Sequence, residues 1–148
     1  MNATRKLARA EPDLELADRL RFAIARTARR MRQEAGTDLG PAQVAALATI
    51  ERHGPLAPSE LAEREGIKRP TATRLLSSLE RAGLLDRVRD PEDGRSSILS
   101  ASAEGRALLR RLRARKTAYL AQHLRELDSD DLAALERAAD VLERLLDD

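Results

Sequence analysis

The chain reads as mainly α with one small β ribbon, and three observations set that class. Ala, Leu, Arg and Glu, all strong helix formers, recur throughout its 148 residues. Apolar residues return at three- and four-residue spacing along almost the whole length, interrupted at Gly36, Gly54-Pro55, Gly66 and Gly83. Strand character is confined to Leu84–Arg89 and Ser96–Ser100, which flank the turn-forming run Asp90-Pro91-Glu92-Asp93-Gly94-Arg95. With aromatics at 1%, the core has to be built from Leu, Ala and Ile.

Met1–Ala10 carries Arg5, Lys6 and Arg9 without periodicity and reads as a flexible basic tail. From Asp13 the pattern turns helical, with Leu16, Leu20, Ile24, Ala28 and Met31 on one side and Gly36 as the stop. Leu39-Gly40-Pro41 opens a second helix that points Val44, Leu47, Ala48 and Ile50 inward and ends at Gly54-Pro55. Pro58 suits the first position of a third helix, where its missing N–H costs nothing, and Leu56 and Leu61 are spaced to staple that start. Gly66 can turn left-handed at its end, with Ile67 plugging the turn. Beyond the ribbon, Ser102 can cap a long helix with Leu108, Leu109, Leu112, Tyr119, Leu120 and Leu124 as its stripe. Asp128 caps a last, acidic helix built on Leu132, Leu135, Ala139, Leu142, Leu145 and Leu146.

The centre of the chain carries the functional signal. A helix over 69–82 buries Ala72, Leu75, Leu76 and Leu79, and turns Pro70, Arg74, Ser77 and Arg81 outward with Thr73 on the flank. A short helix, a Gly turn and a longer helix with a basic, hydroxyl-bearing face form a helix-turn-helix pattern. Lys68 stands where an N-cap acceptor is expected, and Arg69 adds a second cation at the positive end of the helix dipole. That placement is unfavourable alone and favourable once an anion such as a DNA phosphate docks there.

Taken in order, Glu60-Leu61-Ala62, Thr71-Ala72-Thr73-Arg74-Leu75-Leu76, Leu79-Glu80-Arg81-Ala82-Gly83-Leu84-Leu85-Asp86-Arg87 and Asp90-Pro91-Glu92-Asp93-Gly94-Arg95 resemble the MarR family of bacterial transcription regulators. The resemblance covers nearly the whole chain beyond the first residues. Three positions depart from the family pattern: Ala57 and Lys68 replace the usual Ser or Thr cap and Ser, and Ala101 replaces the usual Leu after the wing. The resemblance implies a winged helix-turn-helix over 37–101, flanked by dimerisation helices over 11–36 and 102–148. It implies a homodimer that binds double-stranded DNA at a pseudo-palindromic operator as a repressor, released by a small aromatic or anionic effector. The implied DNA-binding residues are Lys68, Arg69, Pro70, Thr71, Thr73, Arg74 and Ser77 on the recognition helix and Arg95 at the wing tip. Gly94 and Asp90 support the wing, and Asp90 is expected to hold the Arg95 guanidinium as an ion pair. Phe22 and Tyr119 are the aromatics available to an effector.

Other chemistry finds little support. Cysteine is absent, which removes disulfides, thiol switches and cysteine metal sites. His53 and His123 are the only histidines, each near a helix end, and no Gly-rich phosphate loop occurs. Neither an enzyme nor a bound cofactor or metal is expected. No apolar run reaches membrane-spanning length, so a cytoplasmic protein without a membrane partner is expected. Net charge is only +2, so nucleic-acid binding has to rest on how charge is distributed. The competing reading is a winged protein-interaction module whose basic face is merely solvated; it leaves Lys68, Arg69 and Arg95 without a purpose.

Overall fold

The computed structural model describes residues 10–95 and 97–147. Its elements are α1 (Ala10–Ala35), α2 (Pro41–His53), α3 (Pro58–Glu65), α4 (Arg69–Arg81), β1 (Leu85–Arg89), β2 (Ser97–Ala101), α5 (Ala103–Leu124) and α6 (Ser129–Leu146). The expected basic tail lies outside the described residues except for Ala10, which already opens α1. The helix starts before Asp13 because Pro12 falls in the first turn, where no intrahelical N–H bond is required.

The chain divides into two compact units, Gly36–Ala114 and α1 together with the chain from Arg115 onward. In the first, Leu47, Ile50, Leu61, Leu79 and Leu99 are fully buried and define an aliphatic core. Residues from α2, α3, α4 and both strands meet in it, with Leu109 from α5. Ala46 and Ala72 are fully buried too, and their small side chains let the helices approach closely. Leu75, read from the sequence as core, is only half-buried at the edge of this cluster.

Local rules account for the ends of the short helices. Pro58 opens α3, and Leu56 and Leu61 on either side of the Ala57 N-cap are both buried, as a staple requires. Ala57 has no side-chain acceptor, so the cap is one-sided: its N–H donates to Glu60 Oε1 at 3.4 Å, a long contact. Gly66 ends α3 at φ +62°, and its successor Ile67 returns an N–H to Ala62 O at 3.0 Å.

β1 and β2 pair antiparallel, from Leu85 opposite Ala101 to Arg89 opposite Ser97. The ribbon begins one residue later than the sequence suggested because Leu84 serves other partners. Its N–H donates to Leu79 O at the end of α4, and its carbonyl accepts from Ser102 N, both at 3.0 Å. At the far end β2 runs through Ala101, one residue beyond the expected Ser100. Ser96 lies outside the described residues. Leu56 adds an unforeseen isolated bridge to β2: it exchanges both backbone hydrogen bonds with Leu99, at 2.9 and 2.8 Å, and ties the entry of α3 to the ribbon.

Ser102 caps α5 as expected, accepting from Gly105 N at 3.0 Å, and its hydroxyl also donates to Gly83 O at 2.7 Å. Gly105 is required by close approach, because a Cβ there would stand 2.3 Å from Leu84 O.

In the second unit, Arg115 donates through Nη1 to Ala35 O at 2.9 Å, placing a cation on the carbonyl end of α1. Asp128 caps α6 by accepting from Asp131 N at 2.8 Å. The apolar stripes of this unit are open to solvent. Leu16 of α1 is 51% exposed and Leu135 of α6 is 48% exposed, and no described residue of α6 is buried.

Candidate nucleic-acid interface

α4 is the element around which the candidate surface is built. Successive residues turn by about 100°, so Pro70, Arg74, Ser77 and Arg81 fall within one narrow sector, opposite the buried Ala72, Leu76 and Leu79. Pro70, Thr73, Arg74 and Arg81 are exposed, as are Lys68 and Arg69 ahead of them. Ser77 is half-buried within the outward sector. Thr71, also half-buried, points to the flank between Arg74 and Leu75. The outward face therefore holds most of the expected residues together, with Thr71 at its margin.

The start of α4 keeps its local irregularity. Lys68 is the N-cap in an extended conformation, φ −73° and ψ 147°, and no side chain caps the helix. Pro70 has no N–H, but those of Arg69 and Thr71 have no side-chain cap, and no described carboxylate forms an ion pair with Lys68 or Arg69. Backbone donors, a helix dipole and two cations thus converge on one exposed spot, the arrangement that favours an oxyanion. Thr73 Oγ1 donates to Arg69 O at 3.0 Å, which fixes its rotamer and leaves the oxygen lone pairs outward.

Contacts that the sequence reading did not foresee hold α4 in place. Gln43 of α2 donates through Nε2 to Ser78 Oγ at 2.9 Å, while Ser78 donates to Leu75 O at 2.8 Å. Arg87 of β1 forms a two-pronged pair with Glu80, Nε to Oε2 at 2.9 Å and an Nη2 contact to Oε1 at 3.3 Å. The fork fixes orientation as well as distance, so the end of α4 and the first strand are aligned. Arg87 is exposed and Glu80 half-buried, so solvent screens the pair and it acts on alignment more than on stability.

The tip of the ribbon differs from expectation. Asp90 does not pair with Arg95; its Oδ1 accepts from Glu92 N at 2.9 Å. Asp93 does the same for Arg95 N at 3.0 Å, so consecutive aspartate turns shape the tip. A carboxylate two residues from an N–H loses little entropy in closing such a turn, whereas holding a long arginine side chain costs more. Among the described residues no ion pair restrains the exposed Arg95 guanidinium. Gly94 does not adopt a left-handed φ, and a Cβ there would meet nothing within 4 Å, so its backbone conformation does not require glycine.

This combination is a helix-turn-helix with a braced, uncapped second helix and an antiparallel ribbon ending in an arginine. The MarR family pattern matches residues 39–97, the segment that holds the helix-turn-helix, β1 and the ribbon tip. An HTH-type transcriptional regulator of Mycobacterium leprae is 34% identical over 139 residues, covering 93% of this chain and 97% of that protein. The chain belongs to the MarR family. A transcriptional regulator of Pseudomonas aeruginosa has the same fold, with 36% identity and a TM-score of 0.81 over 90% of this chain and 95% of its own. The Bacillus subtilis repressor MdtR is 33% identical over 92 residues, 62% of this chain and 59% of that protein. MarR regulators are winged helix-turn-helix proteins that bind DNA as dimers.

His53 and His123 take no part in this surface. His123 Nδ1 lies 2.9 Å from Tyr119 O, one helical turn back, and no cluster of metal-binding side chains occurs among the described residues. No described helix is long and apolar enough to cross a membrane.

Proposed function

We propose that this MarR-family chain is a cytoplasmic homodimeric repressor that docks on a pseudo-palindromic operator and is released by a small aromatic or anionic effector. Each protomer would set α4 in the major groove and the ribbon tip in the adjacent minor groove. Lys68 and Arg69 would hold phosphates at the uncapped helix start, with Thr71 at the edge of that contact and Ser77 farther along the outward face. Pro70 and Thr73 would lie against the groove wall, and Arg74 would read base edges. Arg95, carried on the turns of Asp90 and Asp93 beside Gly94, would enter the minor groove. The observation that carries the reading is the uncapped, doubly cationic start of α4 beside an outward-facing Arg74. A repressor rather than an activator is favoured by the likeness to MdtR. The solvent-open leucine stripes of α1 and α6 fit a second copy of the chain.

Fluorescence anisotropy with genomic fragments selected for binding, repeated across a salt series, tests this directly. The expected result is binding of one dimer per site, with log affinity falling linearly as log salt rises. Sedimentation at micromolar concentration should show the dimer. A monomer, or affinity for duplex that salt does not change, would overturn the reading and leave the interaction-module alternative standing.

A further inference from the structure

A protein that sets a helix in one groove of a duplex and a ribbon tip in the next must straddle the sugar–phosphate strand between them. In the winged unit the straddling surface is the side of the ribbon that looks toward α4. Side chains alternate between the faces of a strand, so Leu85, Arg87 and Arg89 of β1 share one face with their cross-strand partners Ala101, Leu99 and Ser97. This is the helix side: Leu85, Leu99 and Ala101 are buried, and Arg87 pairs with Glu80 of α4. Asp86 and Val88 take the opposite face, where Val88 is 46% exposed.

Two cations therefore stand on the straddling face, and their circumstances differ. Glu80 is the one acid in α4 and would repel a phosphate; the forked contact from Arg87 offsets that charge. Arg89 lies two residues, about 7 Å, closer to the tip, opposite Ser97 at the last pair of the ladder. It is exposed, and no described carboxylate forms an ion pair with it. We propose that Arg89 holds a phosphate of the strand that passes between the groove filled by α4 and the groove entered by Arg95. Arg87 has a different part: it neutralises Glu80 and keeps this face of the ribbon turned to the helix. A phosphate contact of this kind carries no sequence information; it fixes register and adds salt-dependent affinity. The inference rests on the regulator reading above and adds to it a contact outside both the recognition helix and the ribbon tip.

The full-length protein is assayed by fluorescence anisotropy on a selected operator fragment and on an unrelated duplex of the same length. Arg89→Ala should keep the parent's Tm and weaken binding to both duplexes alike, by at least about tenfold. The slope of log affinity against log salt should become shallower by about 0.9 per protomer, so by about 1.8 for a dimer. Arg89→Lys should keep most of the affinity and the parent's slope, because a phosphate also accepts a point charge. Methylphosphonate substitutions, each removing one phosphate charge, are then scanned in pairs at matching positions of the two half-sites. One position between the grooves should weaken the parent and leave the Arg89→Ala protein unaffected, the signature of two groups in contact.

Parent affinity for Arg89→Ala, or losses that simply add at every phosphate, overturns the contact. So does a loss confined to the operator, which would make Arg89 a reader of bases. A drop in Tm shared by Arg89→Ala and Arg89→Lys overturns it too, because the side chain would then serve the fold. The two readings fail separately. A parent that binds no duplex refutes the regulator, whereas salt-dependent binding by the parent that Arg89→Ala leaves unchanged refutes only the Arg89 contact.

Discussion

Gly105→Ala offers the sharpest test of how the winged unit is assembled. In an ordinary helix the change gains up to about 1 kcal/mol from backbone entropy. Here the new methyl would stand 2.3 Å from Leu84 O and 3.2 Å from Leu47 Cδ1. Relieving that contact requires a shift of about 1 Å, because non-bonded heavy atoms pack best at roughly 3.5–4 Å. Leu84 cannot simply retreat: its carbonyl accepts from Ser102 N at 3.0 Å, and its N–H is held by Leu79 O. Overpacking of this kind costs about 1–3 kcal/mol, and weakening the Ser102 bond adds about 0.5–1.5 kcal/mol. The net expectation is a loss of about 1–3 kcal/mol after the helix gain. That corresponds to a drop in Tm of about 3–10 °C. Thermal denaturation followed by circular dichroism at fixed protein concentration measures it, with Gly94→Ala as the companion. A methyl at Gly94 meets nothing, so the stability of that variant should stay within about 0.5 kcal/mol of the parent and its Tm should barely move. An unchanged or raised Tm for Gly105→Ala would refute the claim that close approach, and not chance, selects glycine there.

The DNA-binding surface makes its own predictions. Arg74→Ala should cost about 1–3 kcal/mol of specific binding with the fold intact, and unchanged affinity would show that the outward face has been assigned wrongly. Arg95→Ala should weaken binding by at least about tenfold, roughly 1.4 kcal/mol, with little change in Tm. Asp90→Ala should weaken it less, because it opens the turn at Glu92 and leaves the Arg95 guanidinium in place. Anisotropy of both wing variants at one salt concentration decides; parent affinity for Arg95→Ala would leave the ribbon tip without a role.

Local chemistry made much of the fold legible. The helix starts at Pro58 and Asp128, the left-handed stop at Gly66 and the cap at Ser102 each depend on residues a few positions apart, and the structure has them. The buried face of α4 was readable because its period is fixed by helix geometry. What escaped notice joins residues far apart in sequence. The Gln43–Ser78 and Leu56–Leu99 contacts leave no periodic trace, and Gly105 resembles a poor helix residue until Leu84 is seen beneath it. The Asp90–Arg95 pair failed for another reason: opposite charges five residues apart suggested a contact, but a nearer N–H captured the carboxylate. Partial burial of Thr71 also depends on packing that its helical phase alone does not reveal.

The winged unit is cross-tied at each joint between its functional elements. Gln43 and Ser78 join α2 to α4, Glu80 and Arg87 join α4 to β1, Leu56 and Leu99 join the entry of α3 to β2, and Ser102 joins the start of α5 to Gly83. Moving α4 relative to the ribbon would break several of these at once, each hydrogen bond worth about 0.5–1.5 kcal/mol, and would also disturb an aliphatic core packed at crystal-like density. The helix face and the ribbon tip therefore behave as one rigid reading head. A dimer of such heads has a softer coordinate available, the separation of its two copies, because DNA fixes that spacing at about one helical turn. Any ligand that favours one spacing over another can gain leverage on DNA binding without the cost of remodelling either head. Differential affinity for two spacings is sufficient to shift DNA binding, and no change within the recognition surface is needed.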